Sequence, residues 1–181
     1  MRKLLLLLLV APLFSQAQKK PYLEIGGVGG YYFKSEAFAY GASLGFNGQM
    51  NDFLTVGVGF MPLWQKDVKK PQLPVYGDLR IRIDQRASLL LQPGYNFYKT
   101  SSSASAGNVS VKSEVKGGFY GGAGLAFDFP VRPNTAIYVH AKYNYFGYQS
   151  NATMSANGNT TTSSAKSHTD AVTLGVGVRL Q

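Results

Sequence analysis

The sequence predicts an all-β chain, an eight-stranded antiparallel up-and-down transmembrane β-barrel, on three observations. From Tyr22 to Gln181, segment after segment alternates apolar with small or polar residues at a period of two. No helical stretch is present to cover the apolar face these segments share. The opposite face carries charge, which hydrocarbon does not tolerate, so lipid outside and a packed polar interior is the simplest arrangement of solvents.

The last segment shows the pattern most plainly. In Thr169 to Gln181, Val172, Leu174, Val176, Val178 and Leu180 share one face, and Ala171, Thr173, Gly175, Gly177 and Arg179 the other. The first segment, Tyr22 to Phe33, turns at Lys34-Ser35-Glu36 into the second, Ala37 to Phe46, with Phe38, Tyr40, Ala42, Leu44 and Phe46 outward. A turn at 47–52, rich in residues that tolerate positive φ, leads to the third, Phe53 to Leu63, with Leu54, Val56, Val58 and Phe60 outward. A solvated connection, Gln65 to Gln72, follows. The fourth segment, Leu73 to Asp84, sets Val75, Leu79, Ile81 and Ile83 against Tyr76, Asp78, Arg80, Arg82 and Asp84, and the fifth runs from Ser88 to Tyr98. Pro93 within it lacks a ladder donor and predicts a bulge or local break. Lys99 to Lys116 reads as a long polar loop. The sixth segment, Gly117 to Phe129, and the seventh, Thr135 to Tyr148, are joined by a short turn, and Gln149 to His168 reads as the last long loop. Short turns thus fall at one end of the barrel and long loops at the other, with both termini at the short-turn end.

Met1-Arg2-Lys3, the apolar run Leu4 to Phe14 and the small-x-small Ser15-Gln16-Ala17 form a secretory signal, with cleavage expected after Ala17 and residues 18–181 forming one domain. The run is far shorter than the ~20 apolar residues a spanning helix needs. The chain has no cysteine, which excludes disulfides and thiolate metal sites or catalysis. Its net charge of +9 would suit nucleic acid in a cytosolic protein, but export makes anionic lipid the expected counter-surface and nucleic acid is not expected.

The Ser15-Gln16-Ala17-Gln18 junction, the eight amphipathic segments and the ending Gly175-Val176-Gly177-Val178-Arg179-Leu180 resemble the small outer-membrane β-barrel family of Gram-negative bacteria, of OmpX and OmpA type. The resemblance covers the whole mature chain. It implies an integral outer-membrane location with periplasmic termini and insertion by the barrel-assembly machinery. That family's closing strand usually ends in an aromatic residue, where this one ends Leu180-Gln181. The family is defined by its barrel and hosts unrelated activities, so function is read from the site.

An eight-stranded barrel is wide enough only for its own side chains. Inward glycines alternate with Tyr76, Tyr120, Tyr138 and His140, and the inward charges Glu24, Asp78, Arg80, Arg82, Asp84, Asp128, Lys142 and Arg179 are expected to form a lumenal salt-bridge network that plugs it. Aromatic residues cluster near both ends of the segments as membrane girdles. Lys66, Lys69, Lys70, Lys99, Lys112 and Lys116 lie in or beside the long connections and are candidates for lipopolysaccharide phosphates, against a reading as ordinary solvated charge. No cofactor or metal is expected, and no enzyme, because His140 and His168 belong to no G-x-S-x-G or H-E-x-x-H motif. The expected role is structural or one of surface interaction, leaving room for a protein partner. A narrow passage for small hydrophobic molecules, an accessory of a secretion or assembly complex and a lipid A-modifying enzyme stand as alternatives.

Overall fold

The computed structural model describes residues 21–66, 68, 70–156 and 159–181. The expected signal segment 1–17 and the candidate Lys69 lie outside the described residues. Among the described residues ten strands form, all paired antiparallel: β1 (Pro21–Tyr32), β2 (Ala37–Gln49), β3 (Leu54–Phe60), β4 (Leu63–Gln65), β5 (Pro74–Arg82), β6 (Ala87–Asn96), β7 (Lys99–Ala106), β8 (Val109–Arg132), β9 (Thr135–Ala156) and β10 (Asn159–Leu180).

Eight of them close a ring in the order β1-β10-β9-β8-β6-β5-β3-β2, sealed because β1 pairs with β2 on one side and β10 on the other. The remaining two continue interrupted strands. β4 carries on from β3 after Met61-Pro62, where proline has no N–H to give, although the Pro62 carbonyl still accepts from Ala42 N–H at 3.2 Å. β7 follows β6 after a tight bend in which Tyr98 N–H turns back to the Asn96 carbonyl at 3.1 Å. The eight expected segments therefore appear as ten strands. Pro93 produces a gap rather than a bulge: pairing with β5 resumes in the same register beyond it, from Tyr76↔Gly94 to Leu79↔Leu91.

Burial follows the alternation. Along β9, Tyr138, His140, Lys142, Asn144 and Phe146 are buried inside the ring while Ile137, Val139, Tyr143 and Tyr145 are exposed outside it. Along β10, Ala171 and Thr173 are buried and Val172, Leu174, Val176 and Val178 exposed. Two glycines let large rings lie flat on the inner wall, since a Cβ at Gly59 would meet the Tyr76 ring and one at Gly175 the His140 imidazole.

The two stretches expected as long loops are strands. Residues 99–116 form a hairpin of β7 with the start of β8, turning through Gly107 at a φ of 56°, and residues 149–156 and 159–168 belong to the outer halves of β9 and β10. Val109 to Gly117 also pairs with Tyr148 to Ala156, so β7, β8, β9 and β10 make one four-stranded sheet standing above the ring. From Asn159 to Asp170, at about 3.3 Å per residue, it reaches roughly 40 Å along the strand. Serine- and threonine-rich sequence looked too polar to pack, but a ladder needs only neighbouring backbones, and threonine and valine favour it.

Candidate functional site

The interior is built in layers. At the end where the termini lie, Glu24 on β1 stands directly opposite Arg179 on β10 in the ladder, and Arg179 Nη2 donates to Glu24 Oε1 at 2.9 Å. Arg80 on β5 reaches across the ring to the same carboxylate, donating from Nη1 to Glu24 Oε1 at 2.7 Å and from Nη2 to Oε2. Asp78, two residues along and on the same face, accepts from Arg80 Nη2 at 2.6 Å, and Arg179 Nη1 donates to Asp128 Oδ2 at 2.7 Å. Bidentate guanidinium–carboxylate pairs of this kind satisfy several lone pairs at once, which burial requires.

Above them, Lys142 Nζ donates to Gln92 Oε1 at 3.0 Å, lies 3.7 Å from Met61 Sδ and sits over the Tyr76 ring. The Ser43 and Tyr138 hydroxyls share a hydrogen bond at 3.0 Å, and His140 stacks on Tyr138. A void of about 20 Å³ remains between Glu24, Asp78, Arg80, Gln92, His140 and Lys142, room for about one water molecule. Higher still, Tyr32, Tyr76, Tyr120 and Phe146 pack ring against ring with Met61 and Leu63, all buried. Tyr120 is held by the Asn144 side chain at 2.7 Å, and Asn144 in turn donates to Thr173 Oγ1 at 2.8 Å.

Of the sequence candidates, Glu24, Asp78, Arg80, Asp128 and Arg179 come together as one ion-pair cluster. Lys142 lies on the same inner face with Gln92 as its closest oxygen partner. Arg82 and Asp84 share the parity of Arg80 but fall where the ring ends, and both are exposed, Asp84 in the turn after β5. Asn144 is inward as the alternation of its strand predicts, while the amides Asn47, Gln92 and Asn96 were missed. Each occupies an inward position on its strand, so face assignment without regard to charge would have found them.

The outer face of the ring is a belt of exposed valine, leucine and isoleucine between two rows of aromatics. Tyr31 with Phe38, Tyr40 with Trp64, Tyr95 with Phe97 and Phe119 with Tyr145 make ring contacts along the far rim, and Phe46, Phe127 and Phe129 stand exposed toward the terminal end. Above the far rim, Lys99, Lys112 and Lys116 share the outward face of the protruding sheet with Glu114, whose carboxylate lies 2.8 Å from Lys99 Nζ and 3.4 Å from Lys116 Nζ. Their contact, led by the Lys99 hydrogen bond, holds the Glu114 carboxyl below the usual glutamate range. Lys66 and Lys70 are exposed in the segment after β4. His168 stacks on Tyr145 with Nε2 3.9 Å from Asp170 Oδ2, and His140 is buried with its Nε2 unpartnered among the described residues.

No family model matches the chain. No curated protein matches it. Among solved structures it is similar to a major outer membrane protein from Thermus thermophilus, at 11% identity and TM-score 0.47 over 89% of this chain and 99% of that one. It is similar also to the outer membrane protease OmpT from Escherichia coli, at 9% identity and TM-score 0.47 over 90% and 97%. A de novo designed transmembrane β-barrel matches at 15% identity and TM-score 0.42 over 90% and 98%. Overlaps this loose transfer no function.

Proposed function

We propose that the chain is an integral outer-membrane β-barrel of a Gram-negative bacterium, an eight-stranded up-and-down barrel with periplasmic termini, a plugged lumen and no catalytic activity, acting structurally or in surface interaction. The observation that carries this reading is the exposed aliphatic belt, flanked by aromatics, around a ring whose inner face is charged and hydrogen-bonded. Water would leave that belt unsatisfied, whereas a bilayer matches it. The barrel-assembly machinery would insert it, and the protruding sheet would meet lipopolysaccharide or a surface protein. Lys99, Lys112 and Lys116, all on the outward face above the aromatic rim, and Lys66, Lys69 and Lys70, in the connection that follows β4 in the sequence, suit anionic phosphates.

Refolded mature chain in a planar bilayer, run beside a heat-modifiability gel, tests the plugged barrel. A shifted band with no conductance is expected. Steady conductance would move the passage reading to the front, and a missing shift would remove the barrel. The lipid A enzyme would have to use His168 beside Asp170; unchanged lipid A in cells carrying His168→Ala is the expected result. The accessory role would appear as a stoichiometric secretion or assembly partner on purification.

A further inference from the structure

At the far end the ring opens into a cavity of about 310 Å³, at the lower bound of small-molecule sites. Its floor and walls combine aromatic surface with neutral polar groups. Tyr98 and Tyr148 meet edge to face with centroids 5.9 Å apart, and Gln65, Gln72, Ser35, Ser167 and Thr169 surround them. Gln65 Nε2 donates to Ser35 Oγ at 2.6 Å, which joins the end of β4 to the β1–β2 turn. Tyr32 lines the floor at 1% exposure, and neither its hydroxyl nor the Thr169 hydroxyl has a hydrogen-bond partner among the described residues.

The chemistry of the lining selects the ligand class. Among the described residues no carboxylate lines the cavity, so a metal ion has nothing to neutralise it, and Lys34 is the one lysine there, too little for a polyphosphate. An acyl chain would leave both buried hydroxyls as unpaired as they already are, and so gain nothing from them. A pyranose ring satisfies both halves of the lining. Its hydroxyls donate and accept together, as Tyr32, Thr169 and the glutamine amides require, and its C–H face lies against tyrosine. We propose that this mouth is a binding site for a sugar unit of an envelope or foreign glycan. It rests on the barrel reading only in that the mouth opens to the outside, and it is independent of the lysine face, which looks the other way. The stacked aromatic layer of Tyr32, Tyr120 and Phe146 makes it a dead end, suited to holding rather than passing its ligand.

Saturation-transfer NMR on the refolded chain in phosphocholine micelles, which carry no sugar headgroup, tests it with glucose, galactose, N-acetylglucosamine and released lipopolysaccharide core oligosaccharide, and adenosine as control. At least one sugar is expected to show transfer, reduced about fivefold or more by Tyr98→Ala and by Ser35→Trp, which fills the cavity from an exposed turn. Stronger transfer to the core oligosaccharide than to free sugars assigns the site to the cell's own envelope, and equal transfer to foreign glycans; either supports it. The site is overturned by no transfer from any sugar, by transfer unchanged in Ser35→Trp, or by adenosine exceeding every sugar, provided the gel shift is retained. A lost gel shift in the parent chain would sink the barrel instead.

Discussion

The lower and upper halves of β8 and β9 are continuous strands with opposite polarity. In the ring, β9 turns Ile137, Val139 and Tyr143 outward and His140, Lys142 and Asn144 inward. Above the rim the outward positions become Gln149, Asn151, Thr153 and Ser155, and the inward ones include Ala152, Met154 and Ala156. β8 does the same, with Phe119, Leu125 and Phe127 outward below and Lys112, Glu114 and Lys116 outward above, where Val109 and Val111 have moved to the inner side. An irregularity between Gly117 and Tyr120 marks the change. The backbone geometry is common to both halves, so the composition follows the surroundings, which under the proposed barrel reading are hydrocarbon outside the lower half and water on both sides of the upper.

The harshest way to break the contrast is from inside the ring. Glu24→Ala leaves Arg80 and Arg179 facing each other without their shared carboxylate and is expected to destabilise by about 3–5 kcal/mol, read as a lower urea midpoint of the gel shift. A loss under about 1 kcal/mol would mean that the cluster is hydrated. Next comes one substitution placed in both halves. Val176→Arg in the belt is expected to lose about 2–4 kcal/mol. Val111→Arg in the protruding sheet should change stability by less than about 0.5 kcal/mol, and equal effects would erase the distinction. At the hairpin tips, Gly107→Ala should loosen the β7–β8 hairpin by about 1–2 kcal/mol, seen as faster local amide exchange with an unchanged barrel. Glu36→Gly, at a φ of 49°, should tighten its own turn. The gentlest is pH. Glu114 has a lowered carboxyl pKa, so its pairing is complete above the ordinary glutamate value and is lost as pH falls through the lowered one; Lys99→Ala should raise that titration point by NMR.

What could be read in advance divides along the same line. The faces of the ring strands were legible because a packed interior behind an apolar outer face imposes a strict period of two, and Tyr138, His140, Lys142, Asn144 and Phe146 all point where that period puts them. The protruding sheet was hidden because nothing buries its serines and threonines. Its available sign was the turn chemistry of Gly107-Asn108 and Asn157-Gly158 midway through each polar run. Inward parity brought Glu24, Asp78 and Arg80 to one region but could not say that Arg82 and Asp84 lie past its edge, since the height at which a ring ends depends on turn positions.

The seam between β1 and β10 joins Glu24 to Arg179 across 155 positions of sequence. Until β10 arrives, β1 and β9 each present an unpaired edge, and no local contact compensates for holding them open. Such a high contact order predicts slow, single-phase refolding in which the gel shift and the tertiary signal appear together, with no stable seven-stranded intermediate.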